Sequence, residues 1–230
     1  MIVKICGMRD PENIRAVSEL NIDWMGFIFW PKSSRYVSER PAYLPTKVKR
    51  VGVFVDANME EVKQKVEEYG LNIIQLHGQE SPSYIRQLRS LCGDHVTAIV
   101  KAFNIATTED LVQTKPYKGI VDYFLFDTKA QLIGGNGTKF DWSVLDNYKD
   151  DTPFLLSGGI GPDDAERIRD WFSAGSGSAA VKCIGIDLNS RFEIKPALKD
   201  ITLLNQFIGT IGTIETIGTD STPSNYEQNQ

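Results

Sequence analysis

A cysteine stands at the end of a short apolar segment near the start of the sequence, where a strand should stop and a loop begin. Cys6 is followed by Gly7, which permits a sharp turn, and Lys4 lies two residues before it. Because side chains in a strand alternate between its faces, Lys4 and Cys6 share one face. A nearby cation favours the thiolate, the form of cysteine that acts as a base or nucleophile. A single cysteine in a strand is more often a small buried hydrophobic residue, so this interpretation depends on the rest of the chain.

Further polar residues follow other apolar segments. Asp127 comes directly after residues 123–126, Asp187 directly after 183–186, and His77 just beyond 73–76. An aspartic acid beside apolar residues suits the role of general acid, because loss of hydration favours the neutral carboxyl. Each Asp could instead cap a turn or loop. Four polar groups at four equivalent positions, with Cys6 included, favour a shared site.

Residues that suit an anionic ligand follow the last apolar segments. They are glycines, which let the backbone approach a phosphate closely, and short polar side chains: Gly135, Gly158, Gly159, Asp187, Asn189 and Ser190. As turn-forming residues alone they would be unremarkable. Arg35 lies in a further loop, 31–36, where its guanidinium could hold a planar carboxylate with two hydrogen bonds or simply be exposed.

Composition excludes several classes of protein. The 230 residues carry 25 basic and 30 acidic side chains, a net charge of -5, and no basic stripe that would indicate a nucleic-acid partner. No apolar run is long enough to cross a membrane, and no signal peptide is evident. Three cysteines and two histidines, without metal-ligand spacing, predict neither a disulfide framework nor a metal site and fit the reducing cytoplasm.

The elements that would carry these residues alternate along the chain. Short β-branched and aromatic segments read as strands buried on both faces, at 2–5, 24–29, 51–55, 73–76, 98–102, 123–126, 154–156 and 183–186. Amphipathic segments between them predict helices at 11–20, 58–69, 81–91, 108–114, 141–148, 162–172 and 197–207. The stretch 31–45 is rich in proline, so its helix should be short or missing.

This alternation predicts the α/β class and a closed (β/α)₈ TIM barrel over residues 1–208 as a single domain. An open, doubly wound sheet is the alternative, but it usually has fewer strands, and the GxGxxG of its dinucleotide-binding form is absent. Residues 209–230 repeat Ile-Gly-Thr and then become polar, so we expect a disordered tail.

The motifs occur together in one order. They are Lys-Ile-Cys-Gly at 4–7, Gly-Phe-Ile-Phe at 26–29, Ser-Ser-Arg-Tyr at 33–36, Val-Gly-Val-Phe-Val at 51–55, Gln-Leu-His-Gly at 75–78, Phe-Asp at 126–127, Gly-Gly-Asn-Gly-Thr-Lys-Phe-Asp-Trp at 134–142, Ser-Gly-Gly-Ile at 157–160 and Gly-Ile-Asp-Leu-Asn-Ser at 185–190. In this combination the sequence resembles the phosphoribosylanthranilate isomerases of tryptophan biosynthesis.

The resemblance implies a (β/α)₈ barrel without cofactor or metal, acting on a small phosphosugar as a monomer or homodimer. The reaction is an aldose–ketose isomerisation, the Amadori rearrangement of N-(5-phosphoribosyl)anthranilate. By motif, Cys6 would be the general base at C2, Asp127 the general acid at the ring oxygen, and Arg35 the partner of the anthranilate carboxylate. The phosphate would be surrounded by Gly158, Gly159, Asp187, Asn189 and Ser190. The site would be supported by Lys4, His77 and Gly135.

Three positions depart from the family pattern, one of them Asn136, which stands where a hydroxyl residue is common, and other functions remain open. Asn189 stands where a serine is expected and Arg191 where a glycine is expected, so the phosphate contacts should differ in detail. An epimerase barrel would want metal-ligand histidines, and an indole-glycerol-phosphate synthase a catalytic lysine, for which Lys4 or Lys101 could serve. A non-catalytic barrel that binds phosphate ligands would not need both an acid and a base.

Overall fold

The computed structural model describes residues 1–128, 141–173 and 178–212. Eight parallel strands, hydrogen-bonded in sequence order, close into a barrel, which confirms the predicted fold. They are β1 Ile2–Cys6, β2 Trp24–Ile28, β3 Lys49–Phe54, β4 Ile73–Leu76, β5 Ala98–Ile105, β6 Tyr123–Thr128, β7 Phe154–Ser157 and β8 Cys183–Leu188. β8 pairs with β1, with Asp187 beside Lys4, and this pairing closes the barrel.

The strands are buried on both faces because two separate apolar clusters cover them. The larger cluster lies between the barrel and the outer elements, and the smaller one includes Val51, Val53, Val100 and Leu125. Polar residues in the strands are exceptions to this pattern. Alternation along each strand places every second side chain inside the barrel, so polar inward residues have to find partners there.

The helices are α1 Pro11–Ser18, α2 Met59–Tyr69, α3 Pro82–Cys92, α4 Ala165–Ser173, α5 Ser178–Lys182 and α6 Ile201–Gly212. The first three start where capping residues predict. The side chains of Asp10, Asn58 and Ser81 each accept a hydrogen bond from the first turn of α1, α2 and α3. No helix occurs in the described segment between β2 and β3, as the prolines predicted.

The second half of the barrel departs from the predicted helices. The segments Thr108–Tyr117 and Trp142–Asn147 are 3₁₀ helices, and Pro116 lies inside the first of them. The predicted helix 162–172 is divided into a 3₁₀ turn, Pro162–Asp164, and α4. Further short 3₁₀ turns occupy Gly93–His95 and Ser190–Phe192.

The predicted start of the last helix at residue 197 is wrong. A hairpin of two short strands, β9 Glu193–Lys195 and β10 Leu198–Lys199, occupies this segment. Ala197 has φ of 66°, which is incompatible with a right-handed helix. α6 begins instead after Asp200, whose side chain accepts from Leu203 N at 3.0 Å. It continues to Gly212, past the expected domain boundary at 208, and the rest of the predicted tail, 213–230, lies outside the described residues.

Among the helices that the structure describes, none has the length and apolar character needed to cross a membrane.

Candidate active site

A cavity of about 220 Å³ opens at the carboxyl ends of the barrel strands. Its wall contains most of the predicted site residues: Cys6, His77, Asp127, Gly158, Gly159, Asp187, Asn189 and Ser190. Cys6 and Asp127 therefore face one space although they come from strands on different sides of the barrel. Lys4 and Arg35 do not line the cavity, and Gly135 lies outside the described residues.

The thiol of Cys6 is buried at the end of β1, against Gly26 of β2. A Cβ at Gly26 would lie 2.7 Å from Cys6 Sγ, so the absence of a side chain there makes room for the sulfur. Burial raises the pKa of Cys6, and nearby Lys4 and Lys199 only partly offset this effect. The sequence argument that Lys4 activates the thiol is thus correct in direction, but the net pKa is above its ordinary value.

Lys4 lies below the cavity, inside the barrel. Its Nζ donates to Gln75 Oε1 at 2.8 Å and lies 3.0 Å from Asp187 Oδ2. Since β1 and β4 are not neighbours, the bond to Gln75 crosses the barrel interior. Burial lowers the pKa of Lys4, but Asp187 and Cys6 outweigh it and the pKa is raised. Lys4 is therefore a cation bound mainly to Asp187.

Asp187 contributes a carboxylate at the edge of the cavity. The prediction placed it after its strand, but it lies within β8, with a side chain only 7% exposed. Its Oδ2 pairs with Lys4, whereas Oδ1 is buried and has no partner among the described residues. An unpartnered buried carboxylate oxygen beside a cavity is suited to accept a hydrogen bond from a ligand.

Asp127 and His77 form a pair on the opposite side of the cavity. His77 Nε2 lies 3.7 Å from Asp127 Oδ2, and His77 Nδ1 lies 3.4 Å from Gln75 Nε2. The Asp127 side chain is 24% exposed, so it is less enclosed than its apolar neighbours in the sequence suggested. It can exchange protons with a ligand in the cavity.

The loop after β7 contains a glycine that nothing larger could replace. Gly158 has φ of 93°, and a Cβ there would lie 2.1 Å from Thr128 O and 2.7 Å from Asp127 Oδ1. The backbone of this loop therefore packs directly on the end of β6, next to the Asp127 carboxyl.

Arg35 is engaged by a partner that the sequence did not reveal. Its Nε and Nη2 donate to the carboxylate of Glu193, with the shortest bond 2.6 Å. Glu193 also accepts from Lys199 Nζ at 2.7 Å. Burial raises the pKa of Glu193, but the hydrogen bonds from Arg35 and Lys199 outweigh it and the pKa is lowered. Arg35 is thus a partly buried arginine, beside Gly7 and paired with Glu193, and not an exposed surface arginine.

The loop after β8 carries two of the residues that depart from the family pattern, Asn189 and Arg191, and both line the cavity. Asn189 Oδ1 accepts from Lys199 Nζ at 2.8 Å, which leaves the amide nitrogen as the group that can donate to a ligand. Arg191 lies beside Gly161 of the β7 loop, with Nε 3.2 Å from the position of a Cβ there. This arginine adds a positive charge to the wall of the cavity that the loops after β7 and β8 form.

Sequence reasoning missed Gln75, Glu193 and Lys199. Gln75 could have been found, because it is a polar residue in an apolar strand and shares a face with His77 two positions on. Glu193 and Lys199 carry no such signal, since Glu193 lies outside every predicted element and Lys199 fell in the predicted helix 197–207. Within the described ranges, no group of three or more His, Cys, Asp or Glu side chains is placed to hold a metal ion.

Comparison with known proteins now decides the family. Residues 3–210 match the family model of N-(5'-phosphoribosyl)anthranilate isomerase. This chain belongs to that family.

The similarity extends over nearly the whole barrel. The chain is 48% identical to the N-(5'-phosphoribosyl)anthranilate isomerase of Parabacteroides distasonis, covering 92% of this chain and 93% of that protein. It is 46% identical to the enzyme of Phocaeicola vulgatus, covering 92% and 98%. It also resembles a crystal structure of phosphoribosyl anthranilate isomerase in complex with reduced 1-(o-carboxyphenylamino)-1-deoxyribulose 5-phosphate, at 28% identity and a TM-score of 0.72, covering 92% and 99%.

Proposed function

We propose that this chain catalyses the isomerisation of N-(5'-phosphoribosyl)anthranilate to 1-(2-carboxyphenylamino)-1-deoxyribulose 5-phosphate in tryptophan biosynthesis, with Asp127 as general acid and Cys6 as general base. Family membership supports the reaction. One structural observation supports the residues: Cys6 and Asp127 line a single cavity that also contains the glycine loop after β7.

The first step is ring opening. Asp127 donates its proton to the furanose oxygen, the bond between that oxygen and C1 breaks, and the lone pair of the anthranilate nitrogen forms a C=N iminium. A positioned acid contributes about 10²- to 10⁴-fold to such a step. The Asp127 side chain lines the cavity and is 24% exposed, which supports its assignment as the acid.

The second step is proton abstraction. The iminium makes the C2 hydrogen acidic, and the Cys6 thiolate removes it; the electrons of the C–H bond form the C1=C2 double bond and neutralise the nitrogen. The resulting enolamine becomes the ketone when O2 loses its proton and C1 gains one. Burial raises the pKa of Cys6 and so disfavours the thiolate, but the thiolate that does form is intrinsically a strong nucleophile.

The phosphate is assigned to the loops after β7 and β8. Gly158 and Gly159 allow the backbone to approach the anion, and Ser190, Arg191 and the amide nitrogen of Asn189 supply donors at the same wall. Lys199 orients the Asn189 amide, which replaces the hydroxyl expected at this position.

The carboxylate end of the substrate is assigned to Arg35. Nε and Nη2 of Arg35 are occupied by Glu193, whereas Nη1 makes no hydrogen bond to a described residue. This nitrogen is the one we assign to the anthranilate carboxylate. The unpartnered Oδ1 of Asp187 would accept from a hydroxyl of the ribose-derived chain between the two ends.

Variants of the two proton-transfer residues test the proposal. We expect Cys6→Ala and Asp127→Asn each to lower kcat by at least about 100-fold, because each removes one proton-transfer group. The assay follows loss of the anthranilate fluorescence of the substrate without added metal or cofactor. Cys92→Ala, which removes a buried thiol on α3 outside the cavity, is the matched control and should retain activity. Near-normal turnover by either site variant would refute its role.

The alternative barrel enzymes have less support. An epimerase would need a metal site, and a synthase that used Lys4 or Lys101 would have to free them from Asp187 and Glu80, with which they form buried ion pairs.

The three free cysteines support a reducing cytoplasm as the location. The choice between monomer and homodimer stays a prediction that sedimentation would decide.

A further inference from the structure

We propose that Lys4 and Gln75 hold His77 as a neutral imidazole with its proton on Nε2, and that His77 in this tautomer positions the Asp127 carboxyl and keeps it able to carry a proton. The inference rests on the proposed role of Asp127 as general acid. It concerns three polar residues below and beside the cavity that the catalytic steps above do not use.

Lys4 fixes the orientation of the Gln75 amide. Lys4 Nζ is a donor without acceptor capacity, and it lies 2.8 Å from the side-chain oxygen of Gln75. A reversed amide would place two donors against each other in a buried site, since Gln75 is only 2% exposed. The ion pair of Lys4 with Asp187 holds the ammonium in place. The NH₂ group of Gln75 therefore points away from Lys4.

The Gln75 amide in turn selects the tautomer of His77. Its Nε2 lies 3.4 Å from His77 Nδ1. An amide nitrogen can only donate, so Nδ1 has to be the acceptor and carry no proton. In a neutral imidazole the proton is then on Nε2, the nitrogen that faces Asp127.

This tautomer distinguishes the two oxygens of Asp127. Nε2 lies 3.7 Å from Oδ2, a separation longer than a hydrogen bond that would have to shorten when substrate binds. Oδ1 lies on the other side, against Gly158. If Oδ2 accepts from the imidazole N–H, the acidic proton of Asp127 is on Oδ1, next to the loop assigned to the phosphosugar.

The neutral state of the ring matters as much as its tautomer. An imidazolium at His77 would form an ion pair with Asp127 and hold it as a carboxylate, which has no proton to donate. The Asp127 carboxyl lies beside the ring, with Oδ2 3.7 Å from Nε2, and would attract such a cation. The NH₂ group of Gln75 opposes it, because a proton on Nδ1 would face another donor.

The tautomer can be read directly by nitrogen NMR. The chain has two histidines, His77 and the exposed His95 at the end of a 3₁₀ turn, so a sample labelled with ¹⁵N-histidine gives two imidazoles and His95→Gln assigns them. We expect His77 at neutral pH to show an unprotonated Nδ1 and a protonated Nε2. A protonated Nδ1, alone or with Nε2, would overturn the inference whatever the activity.

A substitution at Gln75 tests the consequence for catalysis. Gln75→Glu replaces the donor by an acceptor, so His77 should become protonated at both nitrogens and kcat should fall by at least about tenfold, with a smaller change in KM. Gln75→Met, which offers neither donor nor acceptor, should give a mixture of tautomers and an intermediate kcat. A Gln75→Glu enzyme with wild-type kcat and a doubly protonated His77 would refute the catalytic part. If Asp127→Asn kept its activity, the proposed general acid would be refuted. The ¹⁵N spectrum of the wild-type enzyme would still test the tautomer of His77 separately.

Discussion

Two opposing effects act on the thiol of Cys6, and their balance predicts the pH dependence of the reaction. Burial favours the neutral thiol and is the larger effect. Lys4 and Lys199 favour the thiolate, whereas Asp187 opposes it. The base is therefore formed less readily than in a free cysteine, and its supply depends on lysines that are themselves held by carboxylates.

We expect kcat/KM to rise with pH on the alkaline side of neutral, because the folded pKa of Cys6 is raised and the thiolate fraction grows as that pKa is approached. Lys199→Met removes a charge that lowers this pKa, so the rise should move to higher pH. The exposed Lys195→Met on β9 is the control and should leave the profile unchanged. A profile that Lys199→Met does not shift would show that Lys199 has no influence on the base.

At the level of single residues, the sequence predicted positions better than it predicted partners. Cys6 and Asp127 could be placed because each ends an apolar strand of a barrel. Arg35 could be named but its pairing with Glu193 could not, since 158 residues separate them along the chain. Lys4 could be assigned to the face of Cys6, yet its stronger partners, Asp187 and Gln75, depend on the closed barrel.

At the level of elements, the loop after β7 is determined by the strand beside it. Gly158 approaches the backbone of Thr128 so closely that a Cβ would overlap it, and its positive φ adds to the cost of any side chain. Gly159 also has a positive φ, of 65°, but a Cβ there would meet nothing within 4 Å. A side chain at either glycine would therefore carry the cost of a positive φ, but only a side chain at Gly158 would also overlap its neighbours.

Gly158→Ala should displace the loop and the Asp127 carboxyl, so that KM for the phosphorylated substrate rises and kcat falls, with a combined loss in kcat/KM of at least about tenfold. Gly159→Ala carries the backbone strain, about 1–2 kcal/mol, without the overlap and should lose much less. Steady-state kinetics with both variants measure the difference. Equal losses would indicate that strain, and not the contact with β6, determines the loop.

The strands were easier to predict than the helices for a physical reason. A strand buried on both faces is mostly apolar, and this signal predicted all eight strands although single polar residues such as Lys4, Gln75 and Lys101 interrupt some of them. The segment 108–117 has few apolar residues and contains Pro116, and the segment 142–147 has only six residues, so neither has a pattern that distinguishes a 3₁₀ helix from an α-helix. The β9–β10 hairpin follows from the conformation of Ala197 and the cap at Asp200, neither of which has a period that sequence reasoning could detect.

At the level of the whole molecule, contacts between an early and a late segment of the chain add to the closure of the barrel by β1 and β8. The side chain of Asn13 on α1 donates to Lys199 O at 2.9 Å and accepts from Lys199 N at 2.8 Å, across 186 residues. The same lysine reaches Asn189 and Glu193 with its side chain. The hairpin thus joins α1, the β8 loop and Arg35, and the site depends on a segment that follows the last barrel strand.

The C-terminal boundary of the domain can be located by two truncations. α6 buries Leu204, Phe207, Ile208 and Ile211, and the match to the family model ends at residue 210. Burial of four such side chains contributes roughly 6–12 kcal/mol, which is comparable with the whole stability of a typical domain, about 5–15 kcal/mol.

A chain that ends after Asp200 should therefore fail to fold, as judged by circular dichroism and loss of a cooperative thermal transition. A chain that ends after Gly212 should keep its activity and a Tm within about 2 °C of the full chain, because it retains every buried residue of α6. A large drop in Tm for the longer variant would show that residues 213–230 contribute to the domain, and the boundary would then lie further along the chain.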